Sequence, residues 1–497
     1  MPLRMDAAYS HKARLGIFQG LETNRRRFSK AWKMALGALL AVAGVAGAAA
    51  DDAPLTLESA LRRALLYNRD LARLAAGYEV AWLDRGVAEG DFAWRWQPSL
   101  SRESFGGMDT SRAGLDVLRK LEWGTEMMFG AEAAQTKWED GSSDRGTVRW
   151  SVSQPIFRYA GREMNRETVA RAESRMRTAL RGLEMAKAEL ALRVAQTFYD
   201  VHRAEQQSRI EEAARDRLDR LRRLAAARAR QGRAVPVDVW RIESQYAEAV
   251  ARAQAARARV EILHLDLADL LNLSPEARPA LASPPPPPPM DDDLEEALAA
   301  ALAHRLEIAQ AEQDLEDARR GVRLAQRRRR PDLRLTASVE RRGLGGADED
   351  DTAWALGLRT GSGLGGAAER WAVPRARLDE RLAADDLESV RRAVEQEVRR
   401  AFIEMTHARA DLEPAERNRQ AAAARLRMAR RLFELGRGDS FTVSDAETQF
   451  LQAEGAWLNA HLESAMTIYR VRRAAGTLLQ TPPELGPRGT GGPENPR

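Results

Sequence analysis

Two segments of this 497-residue chain carry apolar and small residues in alternating steps of three and four, and that rhythm constrains the fold more than any other feature. In the first, Val239, Ile242, Tyr246, Ala249, Ala253, Ala256, Val260, Leu263, Leu267 and Leu270 follow it. Moved on by 204 residues, Val443, Ala446, Phe450, Ala453, Trp457, Ala460, Ser464, Thr467, Val471 and Ala474 follow it again. A 3.5-residue period keeps its seam against a partner helix only if the two wind left-handedly around each other. The many Ala, Ser and Thr knobs imply close approach of the helix axes. Both segments are predicted to be long coiled-coil helices.

The seam belongs to a unit written twice. Thr56 and Asp293 stand as N-caps before matching apolar series, Leu57, Leu61, Leu65, Leu71 and Leu294, Leu298, Leu302, Ile308, related by a shift of 237. Each helix runs to a proline, Pro98 or Pro331, and then to strands whose apolar and polar residues alternate, such as 148–153, 333–339 and 354–358. The first strand region, about 98–157, is longer than the second, about 332–361. An extra hairpin or a long loop would each account for the excess. Helices of about 70 residues follow (162–230 and 367–435), roughly 100 Å long at 1.5 Å per residue, and each ends at a glycine turn before the seam helix. The organisation read from this is a leader with signal peptide at 1–50, a first repeat at 51–273, a Pro-rich linker at 274–293, a second repeat at 294–480 and a disordered tail at 481–497.

Charge narrows the function. The chain has 78 Lys and Arg against 73 Asp and Glu, but the leader alone holds eight of the bases and two of the acids. The remainder is close to neutral, which argues against a nucleic-acid partner. Basic residues at 25–33, an apolar run at 34–47 and Ala48-Ala49-Ala50 read as a secretory signal cleaved near Ala50. No later stretch of 18 apolar residues occurs, so membrane insertion would require a β-barrel. Cysteine is absent and the six histidines are dispersed, so no metal or cofactor is expected. Gly361, Gly363 and Gly366 imitate a dinucleotide fingerprint, but the helix that follows is far too long for a βαβ unit. No nucleophile, base and acid come together, and the chain reads as no enzyme.

A lipid-spanning sheet must be closed, and closure takes at least about eight strands, whereas this chain offers four to six. One protomer cannot make its own barrel. From spacing alone, a barrel shared between chains and a soluble periplasmic coiled-coil scaffold or adaptor without a pore stand level.

Several segments resemble TolC-type outer-membrane efflux proteins: 55–65 with Asn68 and Leu71, Ser153-Gln154-Pro155-Ile156-Phe157, Arg330-Pro331-Asp332-Leu333, and the two turn segments 232–239 and 436–443. The resemblance covers about 55–480, in order and duplicated. It departs at 360–366, which lacks the family's proline junction. The resemblance implies long antiparallel coiled-coil helices forming a periplasmic tunnel, and a transmembrane β-barrel shared by three protomers, each giving about four strands. It further implies a passive gated conduit of a tripartite efflux or type I secretion system in the outer membrane, partnered by a periplasmic adaptor and an inner-membrane pump. The adaptor would meet the glycine turns at Gly232, Arg233, Val235 and Val239 and at Gly436, Arg437, Ser440 and Val443. Beside them, Asp238, Glu243, Asp439, Asp445 and Glu447 are candidate entrance acids, since symmetry would gather copies of any lumen-facing acid into a ring.

Overall fold

The computed structural model describes residues 54–479 apart from 107, 140, 231–235, 286–292, 344–350, 362–366, 436 and 439. The first repeat comprises α1 (Leu57–Tyr67), α2 (Arg69–Glu89), β1 (Arg95–Phe105), β2 (Met108–Lys120), β3 (Glu126–Trp138), β4 (Gly141–Pro155), a single turn at Arg162–Asn165, α3 (Glu167–Arg230) and α4 (Pro236–Leu270). The second comprises α5 (Leu294–His304), α6 (Leu306–Arg328), β5 (Leu333–Arg342), β6 (Asp351–Thr360), α7 (Ala367–Ala410), α8 (Leu412–Glu434) and α9 (Ser440–Ala474). The excess in the first half is therefore an additional hairpin, four strands against the second half's two. The leader and the tail fall outside the described residues.

Contacts group the chain into two compact units, and each draws on both repeats. One holds the described residues up to Asn68, of 191–293 and of 403–470; the other holds those of 69–190, 294–402 and from Val471 onward.

The seam helices bury the side the 3.5-residue rhythm selects. Ile242, Ala249, Ala253, Leu263 and Leu267 are buried on α4, as are Val443, Ala446, Ala453, Ser464, Thr467, Val471 and Ala474 on α9. Tyr246, Ala256, Val260, Leu270, Phe450, Trp457 and Ala460 are half-buried beside them. α3 runs unbroken for 64 residues, whereas its counterpart divides at Asp411 into α7 and α8. Pro414 is the cause. It has no N–H for the Ala410 carbonyl four residues back, and α7 ends at that residue.

The breaks after α1 and α5 are equivalent in detail, and α1 is capped at its start. Thr56 caps α1 in a reciprocal box: the Ser59 N–H donates to Thr56 Oγ1 at 3.2 Å and the Thr56 N–H donates to Ser59 Oγ at 3.0 Å. At the break after α1, the Asn68 amide donates to the Leu270 carbonyl at the end of α4, 3.3 Å away. At the matching break after α5, Arg305 Nη1 donates to the Ala474 carbonyl at the end of α9, 3.0 Å away. The shifts of 237 and 204 thus bring the same pair of positions together twice, each satisfying a helix-end carbonyl. Arg305 is buried and ion-paired with Glu307 at 2.9 Å and Glu397 at 2.8 Å.

The six strands form one antiparallel meander in the order β1-β2-β3-β4-β5-β6. Pro98 lies four residues into β1, not before it as expected. β1 is the sheet's edge strand, where a missing N–H is tolerated. The β2–β3 turn is fixed to the helical turn at Arg162–Asn165. Glu122 pairs with Arg162 and Arg166, both at 2.7 Å, and the Gly161 N–H donates to the Trp123 carbonyl at 3.1 Å. Gly124 takes φ +93 there, a backbone conformation that favours glycine.

Candidate functional site

Two features of the fold bear on function: one face of the sheet and the pair of helical turns. On the sheet, strand partners share a face, so register reads out what each face presents. One row of partners runs Trp96, Val117, Phe129, Trp150, Val339 and Trp354 across all six strands. On the same face lie Leu100, Leu115, Ala131, Val148, Ala337 and Leu356. The opposite face carries Ser99, Asp116, Glu132, Arg149, Ser338 and Arg359. The apolar side is open: Leu100 is 87% exposed, Trp354 78%, Trp96 66% and Leu356 66%. A soluble sheet of this size would cover such a face; a sheet whose solvent on that side is lipid would not. Among the described residues no helix is long and apolar enough to cross a membrane, and no cluster of metal-ligating side chains occurs.

At the turns, Leu426, Ala429 and Phe433 of α8 pack on Val443 and Ala446 of α9, with Leu221 of α3 and Phe450 against them. The Arg437 N–H closes the end of α8 by donating to the Leu432 carbonyl at 2.9 Å. A Cβ on Gly438 would lie 3.1 Å from the Phe433 nitrogen and 3.2 Å from the Leu432 carbonyl carbon, a tight approach that favours glycine at this return of the chain.

Polar contacts tie the hairpins together. Glu447 is 4% exposed, and its two oxygens accept from Arg217 Nε of α3 at 2.6 Å and Arg430 Nη2 of α8 at 2.5 Å. Arg217 also lies over the Phe450 ring, 5.8 Å from its centre. Asp445 accepts from Arg425 at 2.6 Å, and Gln245 of α4 donates to Ser444 of α9. On the first hairpin, Arg222 bridges Glu243 at 3.3 Å and Asp219 at 2.9 Å while stacking 4.3 Å over Tyr246. The Arg223 hydrogen bond, helped by Arg222, holds the Asp219 carboxyl below the usual range. Farther along α9, burial raises the Glu454 carboxyl, opposed by Arg217 and Arg419. A cleft of about 220 Å³ beside this cluster is lined by Arg217, Leu221, Arg430, Phe433 and Glu447 among others.

Of the residues singled out by sequence, Gly232, Arg233, Val235, Gly436 and Asp439 lie outside the described residues, as do the side chains of Asp238 and Ser440. Val239 is half-buried, Val443 is buried and Arg437 is exposed. Among the entrance acids, Glu243 is exposed and Asp445 partly so, but Glu447 is enclosed within the protomer by two guanidinium groups. Sequence reasoning missed Arg217 and Arg430, because no spacing links positions 230 and 17 residues from Glu447. It also missed Trp240 (72% exposed), five residues into α4, and Phe441 (61%), the second residue of α9, whose apolar rings beside the two glycine turns could have flagged them.

Residues 297–477 match the family model described as outer membrane efflux protein. No curated protein matches the chain significantly. Among solved structures, the fold is similar to the outer membrane protein VceC of Vibrio cholerae, at 18% identity and TM-score 0.65, covering 84% of this chain and 96% of that one. It is similar to the CmeC outer membrane channel of Campylobacter jejuni, at 15% identity and TM-score 0.67, covering 86% and 87%. The MtrE outer membrane channel of Neisseria gonorrhoeae aligns at 17% identity and TM-score 0.61, covering 85% and 89%. The second repeat thus matches the outer membrane efflux family, and the chain as a whole has the fold of TolC-type channels and not that of an enzyme.

Proposed function

We propose that the chain is the protomer of a homotrimeric outer-membrane export channel, secreted by a signal peptide cleaved near Ala50, and that it works as a passive gated conduit. The observation that carries this reading is a six-stranded sheet with one apolar, uncovered face, joined in one chain to long paired helices that end in two turns. Lipid is the solvent such a face suits, and a sheet in lipid cannot leave its edges unpaired. Copies of the chain therefore share the barrel.

The coiled-coil helices supply the periplasmic wall of the conduit. Its entrance lies at the turns, where a periplasmic adaptor linked to an inner-membrane pump docks on Gly232, Arg233, Val235 and Val239 and on Gly436, Arg437, Ser440 and Val443. Trp240 and Phe441 add apolar contact area. The exposed Glu243 and the partly exposed Asp445, with Asp238 and Asp439, set the charge of the entrance, and Glu447 clasps the second hairpin to α3. Transport energy comes from the pump. A tripartite efflux system is the favoured setting, with type I secretion as the other role such a conduit serves.

Fractionation tests the reading. Detergent-dependent extraction from outer membranes as a heat-resistant trimer is expected. A soluble monomer in the periplasmic fraction would refute it and favour a scaffold without a pore.

A further inference from the structure

From the strand count and the edges of the sheet, we infer that each protomer contributes six strands, β1 through β6, to the shared barrel, so that a trimer closes 18 strands by pairing β1 of one copy with β6 of the next. This rests on the trimeric channel reading above and goes beyond the four strands per protomer that the resemblance implied.

Three observations support the count. First, β1 and β2 are not an appended loop. They continue the ladder over eleven partner pairs, and the β2–β3 turn is locked to the protein by Glu122 with Arg162 and Arg166. Second, the extra hairpin has the same two faces as the rest. Trp96, Pro98 and Leu100 of β1, with Val117, Leu115 and Ala113 of β2, extend the apolar side. Gln97, Ser99, Ser101, Asp116 and Arg112 extend the polar one. A hairpin lying outside a barrel would gain nothing from that alternation. Third, the two edges are complementary. An even-numbered meander leaves β1 and β6 running in opposite directions, so a copy's β6 meets β1 antiparallel, like every other pair in the sheet.

The apolar band also shows the tilt that closure needs. Measured from the row Trp96 to Trp354, the band is centred two residues toward the hairpin tips on β1, at Pro98. On β6 it is centred two residues the other way, at Leu356. Four residues of drift is about 13 Å along the strands over about 24 Å across them, a tilt of roughly 30°, near the 35–45° of transmembrane strands. Aligning the bands sets Trp96 beside Leu358, Pro98 beside Leu356 and Leu100 beside Trp354 of the next copy. Pro98 removes one donor from this seam, while Ser99 to Phe105 keep theirs.

Eighteen strands give a barrel about 35 Å across between backbones, against about 23 Å for twelve. Barrels of 16–18 strands leave an aqueous channel. The outlet is thus wide enough for bulky or partly folded cargo.

The chain has no cysteine, so engineered pairs report unambiguously. On the polar face the aligned bands bring Ser99 opposite Ala355. Full-length S99C/A355C, with S99C/A353C and S99C/G357C covering a slip of two residues, is to be oxidised in outer membranes and run without reductant. A parallel E132C/A355C protein probes the rival in which β3 meets the next copy's β6 and the barrel has twelve strands. A covalent trimer that survives boiling in one of the Ser99 series is the expected result. A heat-resistant trimer that cross-links only through E132C, or through none of the pairs, overturns the six-strand seam and leaves the channel reading standing. Absence of a trimer in the unmodified protein overturns both.

Discussion

Replacing Glu447 with glutamine tests how the second hairpin is held near its turn. The carboxylate is 4% exposed and bridges Arg217, whose side chain is 17% exposed, and Arg430, at 36%. Removing one partner of a fully buried ion pair costs about 3–5 kcal/mol, because the charge left behind is unsolvated. Here Arg430 can turn into water, so its share falls to the value of a surface pair, about 0.2–1 kcal/mol. Arg217 cannot, and the unsatisfied buried donor it becomes costs about 1–3 kcal/mol. Glutamine keeps one acceptor oxygen, which leaves about 2–3 kcal/mol for Glu447→Gln, while Arg430→Ala leaves one enclosed Glu447 oxygen without its donor and should cost about 1–3 kcal/mol. Hydrogen–deuterium exchange reads this as local opening, and a loss of that size speeds exchange in peptides spanning 426–450 by roughly 30- to 150-fold. Peptides from the strands should not change. A Glu447→Gln protein that exchanges within about threefold of wild type would show that Glu447 does not hold the hairpin.

Glu454 is expected to behave in the opposite sense. Its folded pKa is raised by burial, so its contribution is favourable below the ordinary carboxylate range and is lost as pH rises through the raised value; Glu454→Gln should therefore raise the melting temperature at pH 7–8 by roughly 1–3 °C and have no effect near pH 3, measured by thermal scans at both pH values. Arg305→Ala takes their partner from Glu307 and the Ala474 carbonyl, while Glu397 keeps Arg473, and should destabilise by about 1–3 kcal/mol in denaturant titrations, more than Arg→Ala at the exposed Arg392. Leu356→Arg, on the apolar face, should cost about 2–4 kcal/mol and reduce the yield of heat-resistant trimer, whereas Ala355→Arg on the other face should cost less than about 1 kcal/mol. Trp240→Ser with Phe441→Ser should leave the melting temperature within about 1 °C yet lower co-purification of the adaptor after cross-linking in cells.

What could be read from sequence was whatever depends on local periodicity. The three-and-four rhythm of 239–270 and 443–474 marks buried positions because a helix in a coiled coil has one seam, and each of its steps is buried or half-buried. The N-cap at Thr56 and the alternation on β4, β5 and β6 have the same local origin. The β1–β2 hairpin was harder to read. On β1 the run Ser99 to Ser104 holds a single apolar residue, Leu100, and Pro98 in its middle argues against a strand unless the strand is known to be an edge. The break at Asp411 was available in Pro414 but was hidden by the length of the helical pattern around it. Glu447 shows the limit most clearly. It adjoins Ala446 on the seam and carries nothing to distinguish it from a solvated acid, because what buries it is supplied by Arg217 from another helix. Contacts set by three-dimensional packing leave no mark in spacing.

Assembly of this chain into a passive channel would be seen as current through a planar lipid bilayer. Trimer extracted from outer membranes should insert and give discrete, long-lived single-channel steps, with larger open steps when Glu447→Gln loosens the clasp at the second turn. A purified trimer that inserts yet passes no current, in the wild type and in the Glu447→Gln protein alike, would contradict it.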